Sequence, residues 1–154
     1  MTTVEIIQSM LAPGIMISGC GLLLLGMNSK YSLVVNRIRA MDEEKRKLKI
    51  LAGEEKITVD QEKRLKSINM QIGKFEYRIK LIRNAVVFYS IAVAFFIITC
   101  LTIGLHFVLS EMDISGLIIF LFLLGMVSVL TGIVYACLEV LKGYEIIRIE
   151  ISET

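Results

Sequence analysis

The chain has 154 residues, 55% of them hydrophobic, and its 17 Lys and Arg against 15 Asp and Glu leave a formal net charge of +2. A balance this close to neutral gives no case for nucleic acid as a partner. The three cysteines, Cys20, Cys100 and Cys137, are far apart in the chain and fall inside apolar stretches, which argues against a disulfide framework or a zinc site and predicts small buried apolar side chains.

Thr2 and Glu5 are spaced as a capping box that starts a helix. Pro13 removes one backbone hydrogen bond and disfavours helical geometry at Ala12, so the reading is a short outer-surface helix, a kink, and then the first span over 10–27. That span has the length needed to cross about 30 Å of hydrocarbon. Gly14, Ser18, Gly21 and Asn28 share one helical stripe along it. Small residues on a stripe suit close helix packing in lipid. The same stripe also suits the lining of a water-filled path, with Ser18 and Asn28 as polar contacts.

Beyond residue 27 nothing stops the helix, because Val34, Ile38, Met41 and Leu48 continue an apolar stripe among charged residues. The pattern breaks near Gly53, and Thr58 with Gln61 offers a second capping box. The return arm then carries Leu65, Ile68, Ile72, Phe75, Ile79, Ile82 and Val86 in alternating steps of three and four, the seam a helix needs to pack along another helix. Residues 30–84 therefore read as an antiparallel coiled-coil hairpin with arms of about 35 to 40 Å. Its seam can close the hairpin or be shared between subunits.

The second span covers 85–107, with Thr99, Thr102 and His106 on one stripe. A short turn holding Glu111 and Asp113 leads to the third span, 117–141, in which Gly125, Ser128, Gly132, Tyr135 and Glu139 recur at helical spacing. A carboxylate in a span is a candidate functional group. Glu139 lies only three residues from Lys142, so an interfacial ion pair and an ion-handling site are both open. In the tail, Ile147, Ile149 and Ile151 alternate as in a strand, while Tyr144, Ile147 and Ile151 also fit one helical face.

Fifteen of the Lys and Arg lie between the first and second spans, two follow the third, and none precedes the first or occupies the 108–116 turn. The positive-inside bias puts the N-terminus and the Glu111/Asp113 turn outside and the hairpin and C-terminus in the cytoplasm. The basic side would then face anionic lipid. Without a charged region before the first apolar run, a cleavable signal peptide is not expected.

No catalytic constellation is present. His106 is the single histidine, without a metal-binding or nucleophilic companion, and no phosphate-binding glycine loop or nucleophile elbow occurs. No enzyme activity, metal or cofactor is expected.

Leu11-Ala12-Pro13-Gly14, the 22–26 stretch, Asn36-Arg37-Ile38-Arg39-Ala40 and the basic run 78–83 resemble a bacterial and archaeal membrane family known as domain of unknown function two-seven-two-one. The resemblance covers most of the chain, implies the cytoplasmic (inner) membrane of a prokaryote as its location, and implies no activity. By topology alone the chain is also similar to the TolQ, ExbB and MotA class of proton-channel subunits, and topology is not function.

The expected architecture is all-α: one integral membrane domain over 1–154, with three transmembrane helices and a cytoplasmic hairpin between the first two. Three spans hardly enclose a pathway alone, so a homo-oligomer is expected. Its leading expected function is a small cation channel lined by the first span at Gly14, Ser18, Gly21 and Asn28, with Glu111, Asp113 and Glu139 as ion-handling groups. The alternative is a membrane scaffold that presents its hairpin to a cytoplasmic protein.

Overall fold

The computed structural model describes residues 3–54, 59–108 and 114–152, with side chains over 4–50, 59–106 and 114–143. Three helices account for these residues: α1 (Thr3–Glu54), α2 (Val59–Val108) and α3 (Ser115–Ser152). The fold is all-α, as expected. Each helix contains a stretch long and apolar enough to cross a membrane, which fits a multi-pass membrane protein. At 1.5 Å per residue, α1 and α2 are each about 75 Å long, so both extend well past any bilayer.

Helix α1 continues through Pro13 rather than dividing into a surface helix and a span. Pro13 is itself almost fully buried. Its missing N–H affects only the preceding turn, and burial of the ring offsets that loss. The tail is helical to Ser152, so its alternating isoleucines do not form a strand. Thr2, Thr58 and the Glu111/Asp113 turn lie outside the described residues, as do the side chains of Tyr144, Ile147 and Ile151.

The packing follows a seven-residue rhythm on every helix. On α1 the buried positions are Pro13, Cys20, Met27, Val34 and Met41; on α2 they include Ile68, Phe75, Ile82, Tyr89 and Phe96; on α3 they are Gly125, Gly132 and Glu139, with Gly143 one turn beyond. A strict seven-residue repeat keeps one stripe facing a neighbouring helix along the whole contact. Helix α2 is central. It packs against both neighbours, while α1 and α3 barely meet.

The seam of the return arm closes inside the protomer. Ile68, Phe75 and Ile82 join Met27, Val34 and Met41 in one buried cluster, with Leu48, Ile72, Ile79 and Val86 packed at its edge. Arg37 and Arg78 each place a guanidinium carbon 5.8 Å from the centre of the Phe75 ring, a distance at which the ring face attracts a cation. Further out, Arg64 Nε donates to Glu44 Oε1 at 2.9 Å. Both side chains are exposed, so that pair contributes little.

The contact between α2 and α3 is a row of rings set into glycines. A Cβ added at Gly125 would lie 2.7 Å from Phe96 Cε1, and one at Gly132 would lie 2.6 Å from Tyr89 Cε1. Both distances are too short for real atoms, so glycine at these two positions lets the helices approach. Phe88 stacks on Tyr135 with centroids 5.5 Å apart, and Phe96 meets Phe122 at 5.6 Å in a tilted pair.

Span hydroxyls are satisfied locally. Ser18, Ser29, Ser90, Thr99, Thr102 and Thr131 each donate to the carbonyl four residues earlier on their own helix, at 2.8 to 3.3 Å. Such bonds let hydroxyls sit in lipid without water. Of the cysteines, Cys20 is buried and Cys100 half-buried, but Cys137 is exposed on the outer face of α3, contrary to the expectation for that residue. A thiol behaves as a small apolar group, and a lipid-facing position suits it as well as a core.

Candidate functional site

Glu139 is the one carboxylate within the three apolar stretches, and it is buried, with 1% of its side chain exposed. The heptad step from Gly125 through Gly132 brings it onto the face of α3 that meets α2. Lys30 Nζ, from α1, donates to Glu139 Oε2 at 3.2 Å. Arg78, from α2, donates through Nε at 3.2 Å and through its terminal NH2 at 2.5 Å, both to Glu139 Oε1. Each carboxylate oxygen therefore has a cationic donor, and each donor belongs to a different helix. Charge-assisted bonds of this kind are stronger than neutral ones, and a buried carboxylate needs them to remain ionised.

Gly143 is part of the same construction. A Cβ there would meet the Arg78 guanidinium at 3.1 Å, so the missing side chain gives Arg78 room to lie across α3 towards Glu139. Lys30, Leu33, Val34, Arg78, Glu139, Val140 and Gly143 surround a cavity of about 370 Å³ at this end of the bundle. One carboxylate between two cations leaves the cluster with a net positive charge. Beyond it, towards Pro13, α1 has no charged residue from 6 to 29, α2 none from 84 to 105 and α3 none from 116 to 138. The cluster thus marks one boundary of the apolar region on all three helices at once.

Sequence reasoning located Glu139 but not Arg78 or Lys30, which are 61 and 109 residues away in the chain. A signal for Arg78 was present. It stands seven residues before Ala85, which is followed at the same interval by the buried Ala92 and Thr99, so it begins a stripe of small residues on α2. Lys30 carries no comparable signal: its side chain is 45% exposed, and only its tip reaches Glu139.

The first-span candidates occupy a different surface. Ser18, Gly21 and Asn28 are exposed and Gly14 is half-buried, on the side of α1 turned away from α2. An added Cβ at Gly14 or Gly21 would meet nothing within 4 Å. Within the protomer the stripe is therefore not a helix contact, in contrast to the glycines of α3. On α2, Thr99 is buried, and the His106 Nδ1 atom is buried without a hydrogen-bond partner. Glu111 and Asp113, the other two expected ion-handling residues, lie outside the described residues. No group of three or more metal-binding side chains occurs among the described residues.

The family model described as "Protein of unknown function (DUF2721)" matches residues 10–149, which takes in all three apolar stretches and the Lys30, Arg78 and Glu139 cluster. The chain belongs to this family. The match agrees with the resemblance drawn from Leu11-Ala12-Pro13-Gly14 and the basic runs, and the DUF2721 description assigns no activity to any of these residues. No curated protein and no solved structure matches the chain.

Proposed function

We propose that this DUF2721 protein is a homo-oligomeric membrane scaffold, anchored in the cytoplasmic membrane of a prokaryote, that holds a helical hairpin out to a cytoplasmic protein partner. The observation that carries this reading is that the one carboxylate of the spans is enclosed by two cations and ties three helices together. A group so held serves as a latch rather than as a carrier of ions. The hairpin supports the same reading, since α1 runs about 36 Å and α2 about 29 Å beyond the cluster and their seam is closed within the protomer. That leaves the charged outer surface of the pair for contacts with other molecules. The net positive cluster would sit at the level of the headgroups and favour anionic lipid.

A second reading, a small cation channel, is favoured by one specific observation: Ser18, Gly21 and Asn28 are exposed on one face of α1. Subunits meeting around an axis on that face would line it with these residues. Glu5, Glu111 and Asp113 would then concentrate cations at its outer mouth. Reconstitution in planar bilayers separates the two. The scaffold reading expects no current above that of empty bilayers across a range of voltage, pH and divalent ions. A cation-selective current that Ser18→Leu reduces would replace it with the channel.

Both readings share an orientation, taken from the Lys and Arg asymmetry. On a background lacking the native cysteines, Ser115→Cys is expected to react with an impermeant thiol reagent in intact cells and Thr58→Cys to be protected. Labelling of Thr58→Cys alone would reverse the topology.

A further inference from the structure

The cavity of about 370 Å³ beside Glu139 lies on the hairpin side of the charged cluster. Leu33 and Val34 follow Lys30 by three and four residues on α1, and Val140 and Gly143 follow Glu139 by one and four on α3, so the cavity opens at the edge of the apolar stretches. Its lining is divided between exposed apolar side chains, Leu33 and Val140, and the charged trio. The carboxylate of that trio is already committed: Oε2 accepts from Lys30 and Oε1 from Arg78, and the side chain is only 1% exposed. The cations are not exhausted. An ammonium has three N–H groups and a guanidinium five, whereas Lys30 gives one to Glu139 and Arg78 gives two. Lys30 is 45% exposed and Arg78 21%, so a molecule in the cavity can reach both. Arg37 shares the Phe75 ring with Arg78 and brings a third positive charge to this level of the bundle.

We propose that this cavity holds the headgroup phosphodiester of one lipid of single negative charge, such as phosphatidylglycerol, with Lys30 and Arg78 donating to its phosphate oxygens. Guanidinium and ammonium groups are the usual partners of phosphate, and their hydrogen bonds to it are charge-assisted. Charge complementarity selects the class. Two cations and one carboxylate leave a single positive charge, which one monoanionic headgroup neutralises. Position selects a lipid over a free phosphate, because a basic pocket between span helices at a bilayer boundary is where acidic headgroups bind. The exposed Leu33 and Val140 add apolar surface for which inorganic phosphate has no use. Helices α1 and α3 barely meet, which leaves the lipid chains a path from the cavity towards the apolar stretches. The inference rests on the latch reading, since the charge of Glu139 must be neutralised by both cations before a second anion can approach.

Native mass spectrometry of the full-length protein, titrated in detergent with dioleoyl-phosphatidylglycerol or dioleoyl-phosphatidylcholine, gives the affinity of the first bound lipid. The wild type is expected to prefer phosphatidylglycerol by about tenfold, the equivalent of one charge-assisted hydrogen bond. Lys30→Gln leaves Arg78 to hold Glu139 but removes the surplus charge, and it should bring the two lipids to within about twofold of each other. Arg83→Gln is the control: Arg83 is exposed at the same end of the apolar stretch of α2 but does not line the cavity, so its loss should leave the preference intact. Val140→Phe adds a ring to the cavity wall from an exposed position and should reduce phosphatidylglycerol binding without altering any charge. Equal affinities in the wild type, or a full preference in folded Lys30→Gln or folded Val140→Phe protein, would overturn the inference. A loss in Arg83→Gln as large as in Lys30→Gln would reduce the effect to general surface attraction and overturn it too. Inorganic phosphate is the third probe, and its Lys30-dependent binding without any lipid preference would assign the cavity to a free anion instead. Failure of the latch reads out separately, as unchanged stability of Glu139→Ala in phosphatidylcholine alone.

Discussion

Replacing Glu139 with alanine is expected to destabilise the helix bundle by about 3 to 5 kcal/mol, the usual cost of removing one partner from a buried ion pair. Lys30 and Arg78 both direct their charges at this carboxylate. Without it, the two cations are left facing each other, and Arg78, with 21% of its side chain exposed, has limited access to water. Glu139→Gln keeps the shape and one acceptor oxygen but removes the charge, so most of the loss should persist. Removing the charges together should behave differently. A Glu139→Leu/Arg78→Met double variant leaves only Lys30, whose side chain is 45% exposed and can turn to solvent, and it should recover much of the stability lost in Glu139→Ala. Unfolding by SDS titration in mixed micelles provides the measurement. A Glu139→Ala protein within about 0.5 kcal/mol of the wild type, the range of ordinary surface substitutions, would mean that the cluster is not a latch.

The second large effect is expected at the glycines of α3. Gly132→Ala puts a methyl group 2.6 Å from Tyr89 Cε1. Tyr89 is itself buried, with 1% exposure, so its ring has no free space to swing into. The helices must separate or the ring must leave its rotamer, and overpacking of this kind costs about 1 to 3 kcal/mol. Gly125→Ala should do the same against Phe96, where the approach is 2.7 Å. The mechanism has its own control. Shortening the opposing ring with Tyr89→Val should make the Gly132→Ala change nearly harmless, and the resulting double-mutant cycle should show a coupling of about 1 to 3 kcal/mol. A coupling near zero would place the cost of the substitution somewhere other than at this contact.

The long apolar stretches and the periodic seam of α2 were legible because each is written in one helix. An uncharged run of some twenty residues states its length directly, and Leu65 through Val86 show their periodicity without reference to any partner. The continuation of α1 past Pro13 was not legible, for the converse reason. A proline's local cost is visible in sequence, but the burial that lets α1 continue past it depends on α2 and α3. The small-residue stripes show the same limit. Gly125 with Gly132 and Gly14 with Gly21 look alike as patterns, yet the first pair receives the rings of Phe96 and Tyr89 while the second meets nothing in its own protomer. What fills a glycine groove is a property of the neighbouring helix. The cluster at Glu139 was half legible on the same grounds: the buried carboxylate is conspicuous in an apolar run, but its two partners come from helices whose register only the packed structure reveals.

Homo-oligomerisation is common to the scaffold and channel proposals, the uncovered face of α1 is where we propose that the subunits meet, and cysteine cross-linking in native membranes tests this most directly. Single cysteines are introduced at Gly14, Ser18, Leu101 and Leu117 of a chain in which Cys20, Cys100 and Cys137 have been replaced, and mild oxidation is followed by a mass measurement. Ser18 lies on the uncovered stripe, while Leu101 of α2 and Leu117 of α3 are exposed elsewhere on the bundle. The account predicts disulfide-linked dimers at Gly14 or Ser18 and monomers at Leu101 and Leu117. Monomers at both α1 positions together with dimers at Leu101 or Leu117 would contradict it, because the subunits would then meet on a face other than the one α1 leaves open.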